Sequence, residues 1–276
     1  MATQSLASGK VLVETGPVTR IQLTNPAKRN SLDAEMAVAV SKVLDDVQKN
    51  NDVRVVIFRG AGDEAFCSGY DIAAIPTGGA RPGDSHGVRK DSNDIEANEL
   101  LRMLDRVEEF PLPTVAILNG HAYGAGAELA VTCDFRLAAS HGKFSMPPAR
   151  LGICYHPRGI KKFIDLIGAG ATRMLFLAGE PVTMEEALRL GLVSRIADRS
   201  NLDAAAETLI QRIAANAPLA VRGMKKTIRY LLDAPPLDAA REQELKQIRI
   251  ACFLSEDLRE GQRAFIEKRQ PVFQGK

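Results

Sequence analysis

Gly120-His-Ala-Tyr-Gly-Ala-Gly-Ala-Glu-Leu129 is the stretch from which the rest of this chain is read. An apolar run, 114–118, precedes it and reads as a buried strand, while Leu129-Ala-Val-Thr-Cys133 continues it with a helical pattern. Gly120, Gly124 and Gly126 therefore fall where a strand turns into a helix. Small residues there let backbone N–H groups come close to a ligand. The start of a helix also carries unpaired N–H donors and the positive end of the helix dipole. Glu128 lies in the first turn. Donors for an oxyanion with a carboxylate beside them form an acid/base site in outline.

A second turn of the same kind lies upstream. The apolar run 53–58 leads through Arg59-Gly-Ala-Gly62 to Ala65-Phe-Cys-Ser-Gly-Tyr-Asp-Ile72. One such turn is ordinary punctuation, since glycine marks turns everywhere. Two of them, brought together, would supply a pair of N–H groups to one carbonyl oxygen. Around them, 11–14 and 18–23 read as a hairpin about Thr15-Gly-Pro17, and 34–50 as a helix capped by Ser31. Short strands are expected at 134–139 and 143–146. The Gly- and Pro-rich segment 76–87 reads as a loop, placed to act as a lid or as a surface excursion, with a helix at 91–106. From 201 onward the pattern is almost entirely helical. Two regions follow: 1–200, an α/β core with the site, and 201–276, a helical region for packing on the core or on a neighbouring subunit. Alternating strands and helices alone would also suit a doubly wound sheet.

Composition excludes several classes. A formal charge of +2 on 276 residues gives no basis for a nucleic-acid or acidic-membrane partner. No apolar run approaches the roughly 20 residues a membrane helix needs, and the first nine residues show no basic segment leading into an apolar one. The four cysteines (Cys67, Cys133, Cys154, Cys252) are scattered without metal-ligand spacing, so no metal site is expected and the thiols read as reduced, in the cytoplasm. Gly124-Ala-Gly126 lacks the third glycine and the later acidic residue of a dinucleotide-binding unit.

The two turns and several further segments resemble the crotonase (enoyl-CoA hydratase/isomerase) superfamily. These segments are Asn25-Pro-Ala-Lys-Arg-Asn-Ser-Leu-Asp33, Cys133-Asp134, Phe144-Ser-Met-Pro-Pro-Ala-Arg-Leu-Gly152, Leu177-Ala-Gly-Glu-Pro-Val-Thr183, Ala187-Leu-Arg-Leu-Gly-Leu-Val193 and Phe265-Ile-Glu-Lys-Arg269. They occur in family order over nearly the whole chain. The resemblance implies an α/β fold of the crotonase type, a ββα superhelix with a helical C-terminal region. It also implies an acyl-CoA substrate, no cofactor beyond the CoA carried by that substrate, and a homotrimer or dimer of trimers. By resemblance the oxyanion donors are the N–H groups of Tyr70 and Ala125. Lys28, Arg29, Ser68, Tyr70, Asp71 and Ile72 would border CoA or the acyl group, and Phe265 and Lys268 would reach the CoA of an adjoining subunit.

Glu128 matches one of two glutamates that the family's hydratases use to add water. The second would stand at Pro148, which has no proton to exchange. Tyr155, in Leu151-Gly-Ile-Cys-Tyr155, instead resembles the methylmalonyl-CoA decarboxylase branch, although that branch carries histidine where Tyr70 stands. Hydratase-like chemistry is the family default, decarboxylation of a 2-carboxyacyl-CoA the alternative, and a non-catalytic CoA-binding protein a third reading. Against catalytic roles, Glu128 could simply pair with a backbone donor or Arg150, Tyr155 could only pack its ring, Asp71 could cap a helix, and His121 and His156 read as structural.

Overall fold

Alternation along the long strands explains how one sheet carries two cores. The computed structural model describes residues 2–72, 98–232 and 239–272. The chain opens with β1 (Ala2–Leu6), β2 (Val11–Thr15) and β3 (Val18–Leu23), an antiparallel meander. After α1 (Ala34–Val47) come β4 (Val55–Gly60), β5 (Ala65–Cys67), α2 (Glu99–Glu109), β6 (Thr114–Leu118), β7 (His121–Tyr123) and α3 (Ala125–Thr132). There follow β8 (Phe135–Ala139), β9 (Lys143–Ser145), a 3-10 turn at Pro148–Leu151, α4 (Pro157–Arg173), β10 (Val182–Thr183), α5 (Met184–Leu190) and β11 (Arg195–Ala197). The described chain ends in α6 (Leu202–Ala214), α7 (Pro218–Leu232), α8 (Ala239–Leu254) and α9 (Glu256–Glu267).

Seven strands form one sheet in the order β1-β2-β3-β4-β6-β8-β11, parallel from β3 onward. A second, four-stranded sheet runs β10-β9-β7-β5. Each of β4, β6 and β8 is followed at once by a short strand of the second sheet, β5, β7 and β9. This repeat is the ββα spiral expected from the resemblance. On β4, Val56 and Phe58 join the main core, while Val55 and Ile57 face a second core under α6. Ala116 and Leu118 of β6 divide from Val115 and Ile117 in the same way. A strand buried on both faces needs a continuous apolar run, which is what both segments have. Leu202, Ala206, Leu209, Ile210 and Ile213 at helical spacing seal the second core. Of the helical region 201–276, α6 thus lies directly on the sheet.

Three local expectations change. The cap of α1 is Asp33, not Ser31: Asp33 Oδ1 accepts the Met36 N–H at 2.9 Å. Leu32 is drawn into a parallel bridge with Tyr70, so the chain is still extended there and the helix cannot begin earlier. The strands β1, β5, β7, β10 and β11 are not expected from the sequence. Of the expected helix at 91–106, the part from 99 onward is observed, as α2, which runs on to Glu109, while residues 73–97, and hence the loop 76–87, lie outside the described residues. None of the described helices is long and apolar enough to cross a membrane.

Candidate active site

The two glycine turns meet at the junction of the sheets. Gly69 has φ +113° and Gly124 φ +53°, ψ −123°, conformations that side chains resist. A methyl group on Gly69 would stand 3.7 Å from the Ala125 nitrogen, so the turns are in contact. Gly126 seats the helix on β5, since a Cβ there would lie 2.4 Å from the Cys67 carbonyl oxygen. Leu32 donates its N–H to the Gly69 carbonyl and accepts from the Asp71 N–H, both at 2.8 Å. In a strand the intervening residue points its N–H the other way, so that of Tyr70 faces away from Leu32. Ala125 is the first residue of α3, and its N–H precedes the first intrahelical bond. Neither N–H finds a backbone acceptor among the described residues.

Glu128 is completely buried, and its carboxylate is the focus of three side chains from α4 and the loop before it. The Tyr155 hydroxyl donates to Oε2 at 2.5 Å, and His156 Nε2 lies 3.1 Å from the same oxygen. Lys162 Nζ stands 3.5 Å from Oε1 and also reaches Thr132 Oγ1 at 3.2 Å and Glu108 Oε2 at 3.1 Å. Burial alone would push the Glu128 carboxyl up. The His156 ring, the Lys162 ammonium and the Tyr155 hydroxyl outweigh it and hold the group down at about 2. The Tyr155 ring is fixed by His156 at 4.9 Å and by Phe176, edge-on at 5.6 Å. Gly159 leaves the room these rings need: a Cβ there would come within 2.6 Å of His156 and 2.7 Å of Tyr155.

Of the residues singled out in the sequence, Glu128 and Tyr155 are thus joined directly. Arg150 lies instead against Gly179. His156, expected to be structural, caps a helix and also contacts the Glu128 carboxylate, and Lys162 is a contact of Glu128 that the sequence does not reveal. Its neighbour Lys161 pairs with Asp165 at the surface, and nothing in a Lys-Lys pair says which member turns inward. Pro148 is buried at the start of its 3-10 turn.

Lys28, Arg29, Ser68 and Asp71 form one connected surface. Lys28 Nζ meets Asp71 Oδ2 at 2.6 Å, Ser68 Oγ donates to the Lys28 carbonyl at 2.9 Å, and Ser68 N–H donates to that of Arg29 at 3.0 Å. The Tyr70 ring is half-buried, which raises its phenol. The Ile72 carbonyl accepts from Gln262 of α9 at 3.4 Å. Phe265 and Lys268, at the end of that helix, are exposed. His121 Nδ1 accepts the Lys143 N–H and makes no contact with Glu128. Burial raises the thiols of Cys67 and Cys133 to about 12. Among the described residues no group of three or more His, Cys, Asp or Glu is placed to hold a metal ion.

The profile of the enoyl-CoA hydratase/isomerase family matches residues 14–276. The chain belongs to this family. A short-chain-enoyl-CoA hydratase of Clostridium acetobutylicum is 30% identical over 260 residues, covering 94% of this chain and 95% of the relative. A carnitinyl-CoA dehydratase of Salmonella enteritidis is 31% identical over 270 residues, 96% and 98% of the two chains. Among solved structures, methylmalonyl-CoA decarboxylase complexed with 2S-carboxypropyl-CoA superposes with a TM-score of 0.87 at 27% identity, over 100% of both chains. An enoyl-CoA hydratase/carnitine racemase from Magnetospirillum magneticum gives 0.74 at 30% identity, over 97% and 96%. The expected family, the crotonase-type fold and the lyase-type enzymatic character all stand.

Proposed function

We propose that this family member forms a thioester enolate by decarboxylating a 2-carboxyacyl-CoA. The Tyr70 and Ala125 N–H groups grip the thioester oxygen as it becomes negative. The bond from C2 to the carboxylate breaks, its electron pair flows into the enolate, and CO₂ leaves. One proton, ultimately from water, then adds at C2. On this reading CoA enters as part of the substrate, and the step calls on no further cofactor, because the thioester carbonyl itself receives the electrons. Lys28, Arg29, Ser68, Asp71 and Ile72 border the CoA side, and Phe265 and Lys268 contact CoA in an assembled oligomer.

The state of Glu128 carries the preference for decarboxylation. Adding water across a double bond needs a base whose pKa lies near the working pH. A carboxylate already engaged by Tyr155, His156 and Lys162, with a buried proline where the family's second glutamate would stand, is poorly suited to the task. Loss of CO₂ needs no base for its bond-breaking step. The near-complete superposition on methylmalonyl-CoA decarboxylase agrees. Hydration of an enoyl-CoA is the second reading, supported by the names of the sequence relatives. Incubation with methylmalonyl-CoA is expected to release CO₂ and yield propionyl-CoA by mass spectrometry, with little loss of enoyl absorbance from crotonyl-CoA. Rapid hydration of crotonyl-CoA without any CO₂ release from methylmalonyl-CoA would reverse the order.

We also read the C-terminal helices as the subunit contact. Leu219, Met224, Ile228 and Leu231 of α7 are exposed, and no residue of that helix is buried. An apolar surface of this kind marks an interaction site. Sedimentation velocity is expected to give a trimer or its multiple. A monomer at micromolar concentration would remove this assignment.

A further inference from the structure

We infer that Lys162 and His156 are positioning residues, which clamp Glu128 as a fixed anionic acceptor and through it aim the Tyr155 hydroxyl. This inference deepens the proposed function, since it rests on Tyr155 belonging to the acyl site.

The clamp is legible in its geometry. Lys162 has only 10% of its side chain exposed, yet its ammonium lies among Glu128, Glu108 and Thr132. A buried ammonium is costly unless paired, so its partners define its place. His156 caps α4: its Nδ1 accepts the Gly159 N–H at 3.1 Å. A ring nitrogen that accepts carries no proton, so the ring proton that can face Glu128 is the one on Nε2. The helix start thereby fixes the tautomer, and the tautomer supplies a donor rather than a competing lone pair. A tyrosine hydroxyl has one proton, and here Glu128 receives it. Tyr155 therefore meets anything else as an acceptor for as long as Glu128 stays ionised. Protonation of Glu128 would reverse the polarity of that contact.

Other titratable groups on the elements packed against α3 do not replace the clamp. On α2, Asp105 pairs with Arg158 at 3.0 Å, and Glu108 pairs with Lys162 itself. On β5, Cys67 holds its proton. On β7, His121 is engaged by Lys143, and the Tyr123 phenol is raised by burial. On β8, Arg136 donates to the Cys133 carbonyl.

The test replaces Lys162. In Lys162→Met the midpoint of the acid limb of kcat is expected to rise by at least about one pH unit, a tenfold gain in proton affinity at Glu128, with KM changed much less. Lys162→Arg should restore the wild-type profile. The profile is taken with whichever thioester the enzyme turns over, so failure on methylmalonyl-CoA overturns decarboxylation without touching the clamp. A second readout needs no turnover. In protein labelled with 13C at the tyrosine Cζ, the Tyr155 resonance, assigned through Tyr155→Phe, should begin to move on acidification at a pH at least about one unit higher in Lys162→Met than in wild type. Should Lys162→Met not fold, the same titration of His156→Gln takes its place, with the same shift expected. Superimposable profiles and resonances in wild type and variant would overturn the inference.

Discussion

Ala125→Pro should lower kcat by about 10²- to 10³-fold, the usual cost of one lost oxyanion donor, and leave the melting temperature nearly unchanged. The substitution removes one hydrogen-bond donor and sets the ring Cδ where its proton pointed, while the helix keeps its own bonds. Ala125 is the first residue of α3, where proline is tolerated because its missing N–H would have no intrahelical partner. The residue before a proline must avoid helical ψ, and Gly124 has ψ −123° with no Cβ to clash. The Ala125 carbonyl and the rest of the helix keep their bonds. Ala125→Ser retains the N–H and serves as the control, with activity within a fewfold of wild type. Steady-state kinetics with the best thioester, beside thermal unfolding, separates the outcomes. Full activity in the proline variant would show that this N–H does not hold the reacting oxygen, and the enolate mechanism would fall with it.

What makes that experiment possible was largely visible in the chain. Gly120–Leu129 and Ala65–Ile72 sit at strand ends, and glycine at those places has a local reason that sequence reveals. Glu128 and Tyr155 were each legible as chemistry-bearing groups, but their hydrogen bond was not, since 27 residues and two strands of different sheets separate them. Lys162 was hidden for a different reason. A lysine reads as solvated surface, and only the packing of α4 against α2 and α3 turns one member of the Lys161-Lys162 pair inward. His156 was obscured by serving two purposes at once, as helix cap and as carboxylate donor. The short strands β5, β7 and β10 span two or three residues, below the length at which alternation can be seen. Ser31 and Asp33 are equally good caps in sequence, and a distant bridge from Tyr70 chose between them.

Glu128→Leu should destabilise the fold by about 3–5 kcal/mol, the range for stranding one member of a buried ion pair. In a chain of this size that corresponds to a fall in melting temperature on the order of 10 °C. Leucine fills most of the volume, so the loss would come from Lys162 and His156, which are left with buried donors and one carboxylate fewer. Glu128→Gln keeps the shape and one acceptor oxygen for Tyr155, and should lose less. The sign of the pH dependence follows from the depressed carboxyl. Its folded pKa, about 2, lies below the unfolded value, roughly 4.3. Its contribution is therefore complete above the unfolded pKa and is lost as pH falls toward the folded one. The gap in stability between wild type and Glu128→Gln should accordingly be widest near neutrality and shrink between about pH 4 and about pH 2. Denaturant unfolding across that range measures it. A gap that instead narrowed as pH rose above about 4 would mean that Glu128 enters the folded state protonated, in which case Tyr155 could donate to the substrate and the site would work with the opposite polarity.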